Sequence, residues 1–219
     1  MKTLKIQLGA YGWQHAHWLN RFYPEDLPED WQLLYYSNEF NSVLVPAAYW
    51  QGHTIDDCVE WIGSVHEDFR FFVECRGDMF AHISKQALSA VLQVLQPQLS
   101  ALVFPDAKQV MSGQVKQDFL DIIDLFGVDV CSAGDGFDSQ LDSRVGGVWR
   151  DTASEASSFA LIEDNLTDLR VTRALVEQFV AALESGERSP EIATIIVYHP
   201  QLQAEDLSKF RAVLDFMGY

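Results

Sequence analysis

Short apolar segments alternate with longer amphipathic ones along the whole chain. The short segments are β-branched or aromatic and end at Gly, Pro or Asp, which is typical of strands. Most lack the strict alternation of a half-exposed strand, as expected for strands buried on both faces of a parallel sheet. The pattern predicts strands at Leu4–Leu8, Ser42–Pro46, Arg70–Cys75, Ala101–Phe104, Val128–Cys131, Ser158–Glu163 and Thr194–Tyr198.

The longer segments carry apolar residues at the spacing of one helix face. In one of them, Leu88, Leu92 and Leu95 fall on the same face. Another begins at Thr54, with Asp57 three residues further on, a pattern close to a capping box. Helices are predicted at Pro28–Phe40, Thr54–Val65, Ser84–Leu99, Val115–Phe126, Asp168–Glu184 and Glu205–Phe216.

The regular alternation of strand and helix favours an α/β domain with a parallel sheet. Residues 133–157 are irregular and rich in Gly, Ser and Asp, and they leave room for a short eighth unit. We predict one compact TIM-barrel-like (β/α) domain over residues 1–219, with seven or eight parallel strands and one reduced or missing helix. A doubly wound open sheet is the alternative fold.

Composition narrows the classes of partner. The chain has 15 Lys and Arg against 32 Asp and Glu, a net charge of −17, and is 48% hydrophobic. An acidic surface repels phosphate backbones and anionic lipid, so we expect no nucleic-acid and no membrane partner. With neither a signal-type segment nor a transmembrane run, a cytoplasmic location is the default expectation. Three widely spaced cysteines predict neither a disulfide framework nor a zinc site.

An aromatic-rich loop follows the first strand, over residues 9–24. Gly9 and Gly12 bracket its turn. Four aromatic residues of the loop could stack on a planar or sugar-like ligand, namely Tyr11, Trp13, Trp18 and Tyr23. The same rings could instead form the core of the loop. Further aromatic residues extend this cluster from the end of the second strand, at Tyr49 and Trp50.

Polar residues follow the third strand. Glu74 could act as a general base if it is partly desolvated, and Arg76 could clamp a carboxylate or a phosphate. An internal ion pair would use the same residues without any chemistry. Other strand ends, where barrel sites assemble, are followed by Asp106, Glu163, Asp164 and His199. His15 and His17 are two apart, but no recognised ligand motif is present, so we predict no metal site.

Three segments carry a family resemblance, namely Gly-x-x-Gly-Trp at residues 9–13, Phe22-Tyr23-Pro24-Glu25 and Phe40-Asn41-Ser42-Val43. The resemblance is to the YecE-like family, also called domain of unknown function 72, and His82 matches a histidine of that family. It covers residues 4 to about 82 and identifies the chain as a divergent, short member. The resemblance implies a barrel-like (β/α) fold, a bacterial origin and no established activity.

The chain departs from the family pattern at the ends of two strands. Where members continue the second strand with Glu-Ile-Asn-Ser-Thr-Phe-Tyr, residues 44–50 are Leu-Val-Pro-Ala-Ala-Tyr-Trp. Where the third strand of members ends in Lys, this chain has Glu74. A polar mouth characteristic of the family is therefore altered or lost here.

Two functional hypotheses remain, and they leave open whether the protein is an enzyme. In the first, a pocket at the C-terminal ends of the strands takes a sugar-like or phosphorylated small molecule. Acid–base catalysis would then fall to Glu74 and His82, and ligand binding to Tyr11, Trp13, Trp18, Tyr49, Trp50 and Arg76. In the second, a non-catalytic barrel acts through protein contacts. The cofactor and the oligomeric state are unknown.

Overall fold

The structure is a computed structural model that describes residues 4–76, 85–106, 113–133, 145–150, 157–185 and 190–219. The side chains of residues 113–116 are not among those described. The candidate His82 lies outside these ranges.

Eight parallel strands form the sheet within these residues. Seven of them lie where the hydrophobic pattern predicts strands, and the eighth lies in the irregular segment at 133–157. Along the sheet they are ordered β6-β5-β4-β3-β2-β1-β8-β7. Their bounds are β1 Lys5–Tyr11, β2 Ser42–Val45, β3 Arg70–Glu74, β4 Leu99–Phe104, β5 Asp129–Ser132, β6 Val145–Gly147, β7 Phe159–Ile162 and β8 Ile192–Val197.

Burial on both faces explains the unbroken apolar composition of these strands. All four residues of β2 and all four of β7 are buried, and β8 is buried from Ala193 onward. The first and last strands of the chain are neighbours, with Leu8 opposite Ile195. Beyond β7, a single parallel bridge joins Trp149 to Ala160 and continues the pairing.

Helices separate most of the strands, at α1 Gln32–Glu39, α2 Ala47–Gly52, α3 Ile55–Ser64, α4 Lys85–Leu95, α5 Gly113–Phe126, α6 Leu169–Ser185 and α7 Ala204–Met217. The capping box predicted at Thr54 is present, because its side chain accepts from the Asp57 N–H while Asp57 accepts from the Thr54 N–H. The sequence pattern missed α2, whose six residues are too few for a helical period. No helix in the described ranges is long and apolar enough to cross a membrane.

The chain divides into two compact units. One contains Met1–Val43 and Val148–Tyr219, and the other contains Leu44–Gly147. In the first unit α6 packs on α7 and α7 on β1, and in the second α4 packs on both α3 and α5. The single domain over residues 1–219 stays a prediction.

Gly9 lies inside β1 and not in the turn that the sequence suggested. Its backbone pairs opposite Ile196 of β8, and the strand runs on to Tyr11. On its other side β2 comes so close that a Cβ built on Gly9 would overlap the carbonyl oxygen of Ser42 and lie 2.6 Å from its carbonyl carbon. Glycine is therefore required here by close backbone approach, since neither strand can give way.

Replacing Gly9 by Ala should lower the free energy of unfolding by about 3 kcal/mol or prevent folding, because the new methyl group meets backbone. The matched control is Gly63→Ala, on the exposed side of α3, where a Cβ meets nothing within 4 Å. That change should stabilise by up to about 1 kcal/mol through helix propensity. Urea denaturation of both variants measures the difference. A Gly9→Ala protein as stable as the wild type would contradict the close approach.

Candidate functional site

The loop after β1 folds back on itself. Gly12 adopts a φ of 74°, in the left-handed region that glycine tolerates without strain. Further along, the Tyr23 hydroxyl donates to the carbonyl of Trp13 at 2.7 Å, and a bridge joins Leu19 to Tyr23. The aromatic loop is therefore closed by its own hydrogen bonds.

Trp18 anchors this loop. Only 1% of it is exposed, and its Nε1–H donates to the carbonyl of Leu202 at 2.7 Å. Its ring lies nearly parallel to that of Tyr36, at 10° with centroids 6.3 Å apart. Trp13 is also 1% exposed. Both tryptophans pack the loop, and their assignment to a ligand stays a prediction.

His15 lies against Trp18, with ring centroids 4.3 Å apart. The pKa of His15 is lowered from 6.5 to about 4, chiefly by burial and secondarily by the nearby His17, while hydrogen bonds to the backbone of Tyr11 and Gly12 partly oppose this shift. The imidazole is therefore neutral near pH 7. A neutral ring fits the apolar side of the loop, whereas a charged one would pay for desolvation.

Two tyrosines meet where β1 and β8 end. The register places Ala10 opposite Val197, so that Tyr11 and Tyr198 follow side by side. Their ring centroids are 4.3 Å apart at an interplanar angle of 55°, and both residues are half-buried. Of the predicted ligand-binding aromatic residues in this unit, Tyr11 is thus the one that reaches solvent.

An ion pair lies at the end of the next strand. β7 pairs with β8 so that Glu163, directly after β7, follows beside Tyr198. The guanidinium of Arg150 binds the Glu163 carboxylate, with 22% and 52% of the two side chains exposed. We use the name polar edge for the four residues Tyr11, Tyr198, Glu163 and Arg150.

The polar edge was only partly visible in the sequence. Tyr11 and Glu163 were candidates, but Tyr198 was predicted only as the last residue of a strand, and Arg150 was missed. Arg150 follows Trp149, whose single bridge to β7 is too short to give a strand pattern. The sequence did offer one signal for this ion pair, because a basic and an acidic residue, Arg150 and Glu163, each follow a segment that pairs in the sheet.

In the second unit, Glu74 holds the start of α2. It is the last residue of β3, is 1% exposed, and accepts a hydrogen bond from the Ala47 N–H through Oε2 at 2.7 Å. Trp50, 2% exposed, donates from Nε1 to the Glu74 carbonyl at 3.0 Å. The first N–H groups of a helix lack partners within the helix, and a carboxylate satisfies them well.

The other predicted residues of this unit are distributed around that contact. Tyr49 is half-buried, and its carbonyl lies 2.6 Å from Nδ1 of His53. Arg76 is exposed, two residues beyond the end of β3. Burial, and secondarily the charge of Glu74, raises the pKa of Cys75 far above its usual range, so this thiol is no nucleophile. The catalytic pair Glu74 and His82 stays a prediction, because His82 lies outside the described residues.

No group of three or more His, Cys, Asp or Glu side chains that could hold a metal ion occurs in the part of the chain that the structure describes.

The alternating parallel strands and helices define a TIM-barrel-like α/β protein. The model of the family described as protein of unknown function DUF72 matches residues 7–120, and the chain belongs to that family. The YecE-like resemblance is thereby confirmed. Among curated proteins none matches.

Solved structures show the same fold. A DUF72 family protein from Thermotoga maritima MSB8 has a TM-score of 0.63 at 14% identity, covering 96% of this chain and 99% of that one. Another, from Enterococcus faecalis V583, has a TM-score of 0.61 at 14% identity, covering 98% and 99%. D-psicose 3-epimerase from Clostridium cellulolyticum H10, solved with D-tagatose, has a TM-score of 0.52 at 10% identity, covering 96% and 97%.

Replacing Glu74 by Leu should lower the free energy of unfolding by about 1 to 3 kcal/mol, because the Ala47 N–H is left buried without its acceptor. Glu74→Gln keeps an acceptor oxygen and should recover most of that loss. Glu60→Leu, on the exposed face of α3, controls for losing a carboxylate. Equal stabilities of Glu74→Leu and Glu74→Gln in urea denaturation would show that the hydrogen bond does not hold α2.

Because of His15, the free energy of unfolding should decrease as the pH is lowered. Its pKa is lower in the folded than in the unfolded protein, so the unfolded chain binds the proton more readily between about pH 6.5 and 4. The contribution is complete above pH 6.5 and is lost as the pH falls through that window. Between pH 7 and 5, wild type should lose about 1 to 2 kcal/mol more than His15→Gln. His66→Gln, which keeps His15, should retain the wild-type dependence; identical profiles for all three would refute the assignment.

Proposed function

We propose that the protein binds a small sugar-like or phosphorylated molecule at the C-terminal ends of its strands. The observation that carries this proposal is the polar edge, where two half-buried tyrosines and the Arg150–Glu163 ion pair follow the ends of neighbouring strands. Strand C-termini are the usual place for ligand sites in this fold.

The chemistry of the polar edge suits a polyhydroxylated ligand. The rings of Tyr11 and Tyr198 offer apolar faces with a polar tip, which can pack on a sugar ring and bond its hydroxyl groups. Arg150 presents planar paired donors, for a phosphate or for vicinal oxygens, and Glu163 accepts from hydroxyl groups. The epimerase of similar fold that was solved with D-tagatose supports this class of ligand by analogy of fold alone.

Within the second unit, Glu74 and His82 stay the acid–base pair and Arg76 the anion clamp that the sequence predicts, a prediction separate from the polar edge. In the structure Glu74 has one oxygen engaged by α2.

A protein-contact role is the second candidate, and exposed apolar side chains favour it. Trp31 is 59% and Leu34 is 42% exposed, and residues three apart lie on one face of a helix. Together with the apolar residues Leu44 and Pro46 at the end of β2, they are consistent with a barrel that acts without catalysis.

To test the proposal, a panel of free and phosphorylated ketoses and aldoses is screened against the protein by thermal shift, and each hit is then titrated by calorimetry. We expect at least one compound to bind and the double variant Arg150→Met, Glu163→Gln to weaken it by about tenfold or more. The matched control is Arg173→Met, Glu177→Gln, which removes an exposed ion pair on α6 and should change nothing.

Two results would overturn the small-molecule proposal. One is a panel without any binder at millimolar concentration, and the other is a binder that is insensitive to the variant of the polar edge. In either case, an association in solution that is abolished by Trp31→Ser would establish the second candidate.

A further inference from the structure

A cavity lies at the opposite end of β1 from the polar edge. Its volume is about 280 Å³, and it opens beside Lys5, the first residue of the strand. All of its lining belongs to the first unit, from β1, α1 with the turn after it, and α7 with the residues that follow it. Nothing in the proposed function uses this cavity.

The inner wall of the cavity is apolar. It is formed by Ile6 and Leu8 of β1, Phe40 after α1, and Leu214 of α7, each at most 6% exposed. The Asn41 side chain is held across this wall, because its Oδ1 accepts from the Leu8 N–H at 3.0 Å. This inner wall, which is the floor of the cavity, is thus fixed by packed side chains and by a hydrogen bond to the backbone, so the cavity is preformed.

The rim carries two cations and two anions. Arg211 donates to the Glu39 carbonyl and lies 3.3 Å from its carboxylate. Lys5 and Asp215 also line the cavity, and among the described residues neither side chain makes an ion pair. In the whole chain acidic residues outnumber basic ones by more than two to one, 32 against 15. The rim therefore carries both signs of side-chain charge in equal number, within a chain that is acidic as a whole.

We propose that this cavity binds a small zwitterion with an apolar tail, of the class of the aliphatic and aromatic α-amino acids. The carboxylate of the ligand meets Lys5 and Arg211, its ammonium group meets Asp215 and Glu39, and its side chain covers the apolar floor. The volume lies at the lower edge of the roughly 300–1,000 Å³ usual for ligand sites, which suits a molecule smaller than a nucleotide or a disaccharide.

Charge balance separates this ligand class from its competitors. A simple anion would be attracted by the two cationic side chains but repelled by Glu39 and Asp215. A simple cation would be attracted by these two carboxylates but repelled by Lys5 and Arg211. A neutral sugar would leave the apolar floor and the unpaired charges of Lys5 and Asp215 unused. A zwitterion satisfies both signs at once, with charge-assisted hydrogen bonds, which are the strong ones.

The experiment titrates the full chain with L-leucine and L-phenylalanine by calorimetry, alongside three matched compounds. N-acetyl-leucine lacks the ammonium group, leucinamide lacks the carboxylate, and glycine lacks the side chain. We expect saturable binding of leucine or phenylalanine, and affinities at least about tenfold weaker for each matched compound.

Two exposed substitutions locate the binding. Lys5→Met and Asp215→Asn should each weaken binding by about tenfold, and both positions are exposed enough for the protein to fold. Lys209→Met is the control. It removes an exposed cation from α7, the helix that carries Asp215, and Lys209 pairs with Asp206, outside the cavity lining. A cavity that takes up none of the amino acids overturns the proposal, as does binding that Lys5→Met and Asp215→Asn leave unchanged. Sugars that bind at the polar edge would not affect either outcome.

Discussion

The hydroxyl group of Tyr36 is the contact on which the first unit depends. It is buried in α1, donates to the Ser42 carbonyl at 2.8 Å and accepts from the Ala10 N–H at 2.8 Å, so one oxygen ties the first two strands together. Burial keeps its pKa far above the usual value, so the hydroxyl remains a donor at every physiological pH. The close approach at Gly9, the stacking of Trp18 and the position of Tyr11 are all built around this contact.

The strands were predictable because burial on both faces requires unbroken apolar runs. Residues 43–45 and 71–73 have this composition, and both segments are strands. The details that failed depend on contacts with distant residues. Gly9 has the local signature of a turn. Its true role was not predictable from nearby residues, because the Ser42 backbone that requires a glycine is 33 positions away. The helix at Ala47–Gly52 has a weak pattern of its own, and its first N–H is satisfied by Glu74 of another strand.

The same reason limits what the sequence indicates about the site. The aromatic loop was recognised, but no local pattern separates the rings that pack inward, Trp13 and Trp18, from Tyr11, which reaches solvent. The inward position of Trp18 depends on a hydrogen bond from its indole N–H to the Leu202 carbonyl, 184 residues away. Arg150 escaped notice because its partner follows a different strand. A residue type at a strand end is thus predictable, whereas its neighbours depend on the register of the sheet.

The pairing of β1 with β8 has a consequence for the order in which the protein is made. Gln7 and Thr194 bond to each other through their side chains across 187 residues, so β1 leaves the ribosome long before its partner exists. The unit at Leu44–Gly147 is continuous and has no such delay. During vectorial synthesis the middle unit can therefore fold first, while the edge of β1 that pairs with β8 stays unpaired until β8 has emerged.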